Sequence, residues 1–274
     1  MKILITGGSG FIGSNLVKTL NKKYKVFNPS SSELDLTNTK SVEQYFQNKF
    51  FDVVIHCAIK GGRRNVQDSS FTLQENLQMF FNLMKCQRQF DRFFNFSSGA
   101  DFDKSKNVNQ NNHSLLESFP LSPYGMSKNI ISRILKNISR GYNFRVYGVF
   151  GLNEDENRFV VSNIKRYKNQ KSIQIHKNRY WDFFYIKDLV KIIEYYIDNP
   201  KQDLDHNMDL VYPDLLSLNN IAELINGLDN HQVEIKVDDI TRDLDYIGNK
   251  NIGVNLDIEL TGLKKGLEEI YNAL

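Results

Sequence analysis

The sequence predicts an α/β fold: a Rossmann-type, doubly wound parallel sheet with a smaller C-terminal domain. Three observations predict it. Short apolar runs alternate with amphipathic stretches over the first 150 residues, glycines separate the first run from the first amphipathic stretch, and the alternation becomes irregular after Gly151. We therefore place a first domain at 1–150, to which 182–199 returns, and a second domain mainly at 151–274.

Each apolar run predicts one strand, because strands of a parallel sheet are buried on both faces. The runs lie at 3–5, 24–27, 52–58, 92–97 and 144–149. Amphipathic stretches predict the connecting helices near 12–22, 39–49, 71–88 and 124–140, and two later helices at 186–197 and 218–225. Asp35 and Thr37 precede the second helix, and Val42, Tyr45 and Phe46 have the spacing of its buried face.

The glycine cluster predicts a dinucleotide phosphate site. Glycine has no Cβ to block a pyrophosphate, and the helix that follows presents free N–H groups to an anion. The position between a strand and a helix is typical of such sites, although a glycine-rich turn without a ligand is the alternative. The residues expected to bind the cofactor here are Gly7, Gly10, Phe11, Ile12 and Gly13. Gly8 belongs to the same cluster but is not among them.

Composition excludes several function classes. The 35 basic and 32 acidic side chains give a net charge of +3 and form no long run of one sign, so we expect neither nucleic-acid nor membrane-surface binding. Cys57 and Cys86 lack metal-ligand spacing, which favours free thiols in a reducing compartment; a disulfide between them is the alternative. Without a signal peptide or membrane-spanning run, we expect a soluble cytoplasmic protein, with a mobile polar loop at 104–113.

The segment from Ser122 to Lys128 predicts catalytic chemistry. Ser122 can cap a helix, Pro123 suits its first turn, and Tyr124 and Lys128 fall one turn apart on one face. A neighbouring ammonium favours the tyrosinate form, so the phenol can exchange a proton with an alcohol or sugar oxygen. An exposed Tyr/Lys pair without a catalytic role is the alternative.

A second polar segment, Ser97 and Ser98, ends the apolar run from Phe93. A hydroxyl at the carboxyl end of a parallel strand lies at the crevice where such sheets bind ligands. There it can donate a hydrogen bond to a reacting oxygen. The alternative is a turn residue at the end of a strand.

Together the three segments resemble the extended short-chain dehydrogenase/reductase superfamily, the NAD-dependent epimerase/dehydratase family. The resemblance rests on Gly7-x-x-Gly10-x-x-Gly13, on Phe96 to Phe102, and on Tyr124-x-x-x-Lys128. It implies that Ser98, Tyr124 and Lys128 are catalytic, with Ser97 the alternative serine by one place, and that Tyr124 and Lys128 also contact the cofactor. It further implies a homodimer formed by the helices near 71–88 and 124–140.

Other positions match this family with some departures. The resemblance implies that Asp35 and Leu36 lie at the adenine, that Ala58 passes the cofactor, and that Asn76 packs behind the catalytic pair. Gly148 stands where the family has Asn, and Trp181 stands where it has an Arg that often contacts the phosphates of the nucleotide. The expected substrate-binding residues are Ser98, Gly99, Arg158 and, in place of that Arg, Arg179.

Residues after the serine indicate the reaction. Gly99 and Ala100 replace the Asp-Glu pair of the related dehydratases, so dehydration is not expected. The segment from Ser32 to Arg63 is most similar to GDP-fucose synthases, but their epimerising Cys and His correspond to Ala100 and Arg158. We therefore expect reduction of a 4-keto sugar nucleotide without 3,5-epimerase activity. A C4 epimerase with tightly bound NAD and a non-catalytic dinucleotide-binding regulator are the alternatives.

The segment after the second strand bears on cofactor choice. It has no acidic residue to bind the ribose 2′-OH of NAD, and Ser30 to Ser32 can bind a 2′-phosphate with help from Lys23 or Arg63. NADP(H) is therefore favoured over NAD(H). A plain turn of Pro and Ser is the alternative.

Overall fold

The computed structural model describes residues 1–62, 66–108, 114–200, 203–250 and 256–274. In this part of the chain the strands are β1 Lys2–Thr6, β2 Lys25–Phe27, β3 Phe51–His56, β4 Phe90–Ser98, β5 Gly141–Val146, β6 Val149–Phe150, β7 Ile173–Lys177, β8 Phe184–Tyr185, β9 Asn207–Asp209 and β10 Ile235–Asp239. The helices are α1 Phe11–Leu20, α2 Thr39–Phe46, α3 Thr72–Lys85, α4 Pro123–Leu135, α5 Phe159–Lys168, α6 Ile186–Asp198, α7 Leu218–Asn226 and α8 Leu263–Ala273.

Six of these strands form one parallel sheet in the order β2-β1-β3-β4-β5-β9. The next two strands along the chain, β2 and β3, therefore lie on opposite sides of β1. In open α/β sheets ligands bind outside the carboxyl ends of the strands at such a switch point. The glycine turn after β1 and the segment after β3 lie at this point.

The expected α/β fold with a parallel sheet is confirmed. One expected strand is placed differently, and β9 of this sheet and the strands β7, β8 and β10 outside it were not expected. The apolar run at 144–149 spans the end of β5 and the start of β6, whereas β5 itself begins at Gly141. Asn143 hides this strand in the hydropathy pattern. It is buried because its side chain accepts a hydrogen bond from Asn95 and donates one to Ser132.

Several helix boundaries also differ. Helix α2 is capped by the Asn38 side chain, which accepts from the Ser41 N–H, rather than by Asp35 or Thr37. Helices α5 and α8 were not expected. In α5 the buried Val160, Ile164 and Tyr167 do have helical spacing. In α8 the buried face begins with Gly266, which adds no apolar side chain to the pattern.

Two compact units divide the described residues. The first contains the described parts of Met1–Asp103, Ser114–Arg145 and Ile193–Met208, and the second contains those of Lys104–His113, Val146–Ile192 and Asp209–Leu274. The sequence placed the end of the first domain at residue 150, whereas the first unit is interrupted after Arg145. The segment at 182–199 is divided between the units, and residues 104–108 group with the second one.

Cys57 and Cys86 are free thiols, so the alternative of a disulfide between them is wrong. No helix in the described part of the chain is both long and apolar enough to span a bilayer. Residues 109–113 of the loop that was expected to be mobile lie outside the described residues, as does Arg63.

Candidate active site

The glycine turn after β1 is shaped by close backbone contacts. Gly7 has a φ of +69°, and a Cβ there would lie 2.5 Å from the backbone nitrogen of Ala58. A Cβ on Gly13 would lie 2.2 Å from the carbonyl oxygen of Gly7. Only glycine therefore fits at either position. Helix α1 begins at Phe11 without a side-chain cap, so its first N–H groups remain available to an anion. This cradle fits the pyrophosphate of a dinucleotide.

The segment after β2 lies beside this turn. A Cβ on Gly8 would lie 3.0 Å from the Cβ of Asn28, the first residue after β2. Farther along, the Ser30 N–H and hydroxyl both donate to Glu33 Oε2 at 2.8 Å. A carboxylate is thus fixed within the serine segment. Lys23, which was expected to help bind a 2′-phosphate, instead forms an ion pair with Asp198 at 2.6 Å.

The residues expected at the adenine also have local roles. Asp35 is exposed, and its Oδ1 accepts from the N–H and the hydroxyl of Thr37 at 2.9 and 2.7 Å. The carbonyl oxygen of Leu36 accepts from the side chain of Asn82 on α3 at 2.9 Å. Contact of Asp35 and Leu36 with adenine stays a prediction.

The end of β4 presents two serines in different environments. Ser97 is buried, and its hydroxyl donates to Asp101 at 2.6 Å and lies 2.9 Å from the hydroxyl of Ser132. Ser98 is the last residue of β4, and its Oγ accepts from the N–H of Ala100 at 3.2 Å. A single 3-10 turn, Gly99–Asp101, follows. The Ser97 hydroxyl therefore belongs to a buried hydrogen-bond network with Asp101 and Ser132, whereas Ser98 lies at the end of the strand.

Helix α4 has the expected start. The Ser122 side chain accepts from the N–H of Gly125 at 3.0 Å, and Pro123 is the first helical residue. One turn in, the Lys128 ammonium donates to the carbonyl oxygen of Phe96 at 2.5 Å and lies 5.9 Å from the ring centroid of Tyr124. The structure thus places the ammonium beside both the phenol ring and the serine-bearing strand.

Burial shapes the electrostatics of this cluster. Lys128 is only 5% exposed, and burial lowers its pKa to about 8, against an opposing effect of the Asp101 carboxylate. The pKa of His56, at the end of β3, falls to about 3 because of burial and, secondarily, the charge of Lys128. His56 is therefore neutral at neutral pH. Its Nδ1 lies 2.8 Å from the hydroxyl of Thr6.

The loop after β3 packs directly on Tyr124. Gly62 has a φ of +69°, and a Cβ there would lie 2.7 Å from the ring atom Cε2 of Tyr124. The carboxylate of Asp68 accepts from the N–H groups of Gly62 and Tyr124 at 2.8 and 3.2 Å. Asn76 accepts from the N–H of Lys60 at 2.9 Å and donates to the hydroxyl of Ser127 at 3.0 Å. Asn76 thus lies behind the Tyr/Lys pair as the resemblance implied.

Asp101 was missed by the reasoning from the sequence. It is fully buried and accepts hydrogen bonds from Ser97, Ser132 and Arg145 at 2.6, 2.8 and 2.9 Å. The available signal was a carboxylate three residues after the end of a buried strand, where an ionised group needs a partner. Asp68 was also missed, and nothing in its local sequence marks it.

A cavity of about 190 Å³ lies in the second unit. Its basic and aromatic lining residues are Lys104, Lys106, Arg179, Trp181 and Tyr246. The Arg179 guanidinium lies 4.6 Å from the ring centroid of Trp181 and forms an ion pair with Asp243 at 3.1 Å. The Lys104 ammonium lies 4.7 Å from the ring centroid of Tyr246. Such a lining can bind a molecule that has both negative charge and an aromatic ring.

Contacts of Trp181 and of its neighbour Asp182 fix this segment within the second unit. Its indole N–H donates to the carbonyl oxygen of Tyr147 at 3.2 Å. The adjacent carboxylate of Asp182 accepts from the N–H of Gly248 at 2.8 Å and forms an ion pair with Lys250. A side chain on Gly148 would crowd the ring of Phe183, because its Cβ would lie 2.9 Å from Cδ1. The departures at 148 and 181 are therefore part of one packed arrangement.

Arg158 precedes α5 in the second unit. Its Nε donates to Glu154 Oε1 at 3.2 Å, and Glu154 Oε2 is buried without a hydrogen-bond partner in the described part of the chain. Burial raises the pKa of Glu154 to about 7. Arg158 therefore carries a charge next to a carboxyl that titrates near neutrality.

A family comparison decides which proteins this chain is related to. The model of the NAD dependent epimerase/dehydratase family matches residues 3–210, which is more than half of the chain. The chain belongs to this family. Its curated relatives include GDP-6-deoxy-D-talose 4-dehydrogenase of Aggregatibacter actinomycetemcomitans, 28% identical and covering 99% of this chain and 97% of the relative. GDP-L-fucose synthase of Azorhizobium caulinodans is 37% identical over 86 residues, covering 30% of this chain and 28% of the relative.

Several solved structures share the fold of this chain. GDP-mannoheptose C4 reductase of Campylobacter jejuni, with NADP bound, has a TM-score of 0.77 at 18% identity, covering 99% of this chain and 97% of its own. UDP-glucuronic acid 4-epimerase of Bacillus cereus, with NAD bound, has a TM-score of 0.76 at 20% identity, covering 99% and 98%. The comparisons therefore support an NAD(P)-dependent enzyme that modifies nucleotide sugars.

Proposed function

We propose that this protein reduces the C4 ketone of a 4-keto (deoxy)sugar nucleotide with NAD(P)H and lacks 3,5-epimerase activity. One observation carries the proposal: the Lys128 ammonium contacts the backbone two residues before Ser98 and lies against the ring of Tyr124. These are the three groups that carbonyl reduction requires, namely a proton donor, a charge beside it and a hydroxyl for the oxygen. The names of GDP-6-deoxy-D-talose 4-dehydrogenase and GDP-mannoheptose C4 reductase both refer to position 4 of a GDP-sugar.

Each side chain then has a defined task. The turn of Gly7, Gly10 and Gly13 and the first N–H groups of α1 would hold the pyrophosphate of a dinucleotide, which would supply the hydride when bound. Ser98 donates a hydrogen bond to the ketone oxygen, and Tyr124 transfers its proton to that oxygen. Lys128 holds the cofactor ribose and favours the tyrosinate that remains. Proton transfer of this kind contributes ~10²–10⁴-fold to the rate.

The two residues that correspond to the epimerising Cys and His, Ala100 and Arg158, offer no acid/base pair for epimerisation. Gly99 and Ala100 follow Ser98 in the 3-10 turn, and neither side chain can exchange a proton. Arg158 is paired with Glu154 and is itself not a base at neutral pH. Removal and return of protons at C3 and C5 would therefore lack the acid and base that the reaction needs.

The second unit supplies the binding site for the nucleotide part of the substrate in this proposal. Arg179 and Lys104 line the cavity of about 190 Å³ beside Trp181. Cations pair with a diphosphate, while the Trp181 ring can stack on a base. Arg179 thus takes the place of the family Arg that Trp181 replaces, and Arg158 and Gly99 complete the proposed substrate contacts.

NADP(H) is the proposed cofactor, in preference to NAD(H). The residue that follows β2 is Asn28, which has no charge to repel a 2′-phosphate. The Glu33 carboxylate, which Ser30 holds in the same segment, would repel a 2′-phosphate. The neutral strand end favours NADP(H), and Glu33 limits the size of that preference.

A homodimer is also proposed. Phe71 and Phe81, at the start and on the outer face of α3, are 65% and 43% exposed. A subunit interface at this helix, which the family resemblance implies, would cover exposed apolar side chains of this kind. Light scattering of the purified protein tests this: a mass of one chain contradicts the proposal.

The second candidate function is a C4 epimerase with tightly bound NAD. The match to UDP-glucuronic acid 4-epimerase favours it, and it would use the same Ser98, Tyr124 and Lys128. The two functions differ in stoichiometry. An epimerase turns over without added reduced cofactor, whereas a reductase consumes one NAD(P)H for each product molecule.

The deciding experiment is a screen of 4-keto sugar nucleotides with NADPH and NADH in D₂O, with the products identified by NMR. We expect reduced C4 and no deuterium at C3 or C5. Tyr124→Phe should lose most of the activity, whereas the control Tyr271→Phe, which removes only a surface hydrogen bond to Asp229, should retain it. Deuterium at C3 or C5 would contradict the proposed lack of 3,5-epimerase activity. Full activity of Tyr124→Phe would contradict the role of Tyr124 as proton donor.

A further inference from the structure

Asp101 lies at the junction of three elements of the first unit. It is the last residue of the 3-10 turn that follows Ser98, and it is 0% exposed. Its Oδ1 accepts from Ser97 at 2.6 Å, and its Oδ2 accepts from Ser132 at 2.8 Å and from Arg145 Nε at 2.9 Å. The carboxylate thereby connects the end of β4, helix α4 and the end of β5.

Asp101 accepts hydrogen bonds from two side chains of α4. Besides the Ser132 hydroxyl, the Asn129 side chain donates to the backbone carbonyl oxygen of Asp101 at 2.8 Å. Ser132 and Asn129 follow Lys128 on the same helix. The turn that orients Ser98 is therefore attached, at both the side chain and the backbone of Asp101, to the helix that carries Tyr124.

We propose that Asp101 is a positioning residue of the active site, which holds Ser98 in register with Tyr124 and balances the charge beside Lys128. This inference rests on the proposed function, because it assigns those three residues their catalytic roles. Asp101 acts through them and does not touch the substrate.

The charges near Lys128 come from several elements. His56 and Cys57 lie at the end of β3, Tyr124 is on α4, and Asp101 is on the turn after β4. His56 is neutral because burial lowers its pKa to about 3, and burial raises the pKa of Cys57 to about 12, so its thiol is uncharged at neutral pH. Asp101 thus provides the carboxylate that opposes the burial of the ammonium.

Arg145 is the positively charged partner of Asp101. Its ion pair with Asp101 is buried, with side chains 8% and 0% exposed. If Asp101 loses its charge, the carboxylate that opposes the burial of Lys128 is gone, and the charged form of Lys128 is disfavoured. If Arg145 alone loses its charge, the carboxylate favours that charged form more strongly. Removal of both charges takes away the carboxylate and its partner together, so the effect lies between those of the two single changes.

These opposite signs define the test. The ionisation of Lys128 is followed by NMR of the folded protein labelled at the lysine side-chain carbons, with the signal assigned by its loss in Lys128→Arg. Relative to the wild type, Asp101→Asn should move the midpoint down by about one pH unit and Arg145→Gln should move it up. The double variant should lie between the two single variants. The control Asp91→Asn removes an exposed partner of Arg140 and should leave the midpoint unchanged.

Kinetics provide the second readout. Asp101→Asn should lower kcat about tenfold or more, with little change in KM for the sugar nucleotide, and should shift the alkaline limb of the pH–rate profile in the same direction as the NMR midpoint. If Asp101→Asn does not fold, Arg145→Gln and the double variant still test the signs. An unchanged midpoint in Arg145→Gln, or equal shifts in the same direction in all three variants, overturns the inference. Absence of turnover with every substrate contradicts the proposed function and leaves the NMR result readable.

Discussion

The ammonium nitrogen of Lys128 lies 2.5 Å from the carbonyl oxygen of Phe96, two residues before Ser98. This hydrogen bond joins helix α4 to strand β4. It replaces part of the hydration that the buried ammonium loses. The lysine therefore links the element that carries Tyr124 with the element that carries Ser98.

The first prediction concerns the pH dependence of the reaction. Burial lowers the pKa of Lys128 from its ordinary value to about 8, so the charged form that the mechanism requires is lost as pH rises through that value. We expect kcat/KM to fall above about pH 8. Lys128→Arg should move this limb to higher pH, although at lower overall activity, because arginine stays charged. A limb at the same pH in Lys128→Arg contradicts the assignment.

The second prediction concerns stability. Burial raises the pKa of Glu154 from 4.5 to about 7, so the folded protein binds more protons than the unfolded chain between these values. Stability is therefore lost as pH rises through this range, by up to about 3 kcal/mol. Glu154→Gln should gain about 2 kcal/mol more over the wild type at pH 8 than at pH 5, measured by urea unfolding.

A matched control for this stability measurement is Glu156→Gln. Glu156 lies in the same segment but is exposed, where it pairs with Lys165. Its replacement should change the free energy of unfolding equally at both pH values. A pH-independent effect of Glu154→Gln would show that the Glu154 carboxyl does not titrate as its burial requires.

Much of the site could be predicted from sequence because its signals are local. The glycine spacing, the Ser122 cap and the interval between Tyr124 and Lys128 each lie within one element and its flanks. Asp101 and Asp68 could not be assigned in this way, because their roles depend on contacts with residues distant in the sequence. Asp101 meets Arg145 from β5, and Asp68 meets Tyr124 from α4.

The second unit shows the same limit. Arg179 was a candidate because Trp181 occupies the position of the family Arg, but its cavity also uses Lys104 and Tyr246. These come from segments far apart in the chain, with no motif in either. The sequence pattern also missed α8, where Gly266 packs against the Tyr185 ring and only Leu267 and Ile270 mark the buried face.

The third prediction tests this cavity. Arg179→Gln removes a cation beside Trp181, so KM for the nucleotide sugar should rise about tenfold, while kcat changes less than about twofold. The control is Lys236→Gln, which removes an exposed cation from β10 in the same unit. A fall in kcat with unchanged KM would place Arg179 elsewhere than at the nucleotide.

The fourth prediction concerns cofactor choice. Glu33→Gln removes a negative charge from the serine segment while keeping an acceptor for Ser30. KM for NADPH should fall about two- to fivefold, and KM for NADH should change little, because only NADPH carries the 2′-phosphate. Glu268→Gln on α8 is the matched control. Equal effects on both cofactors contradict a 2′-phosphate site in this segment.

The central claim is that a hydride passes from the nicotinamide to C4 of the sugar with Tyr124 as the proton donor. The most direct measurement uses NADPH deuterated at the transferred position, a 4-keto sugar nucleotide in ordinary water, and NMR of the product. The account predicts one deuterium at C4, one cofactor oxidised for each sugar reduced, and loss of both in Tyr124→Phe. Turnover that leaves the cofactor unconsumed and C4 free of deuterium would contradict it.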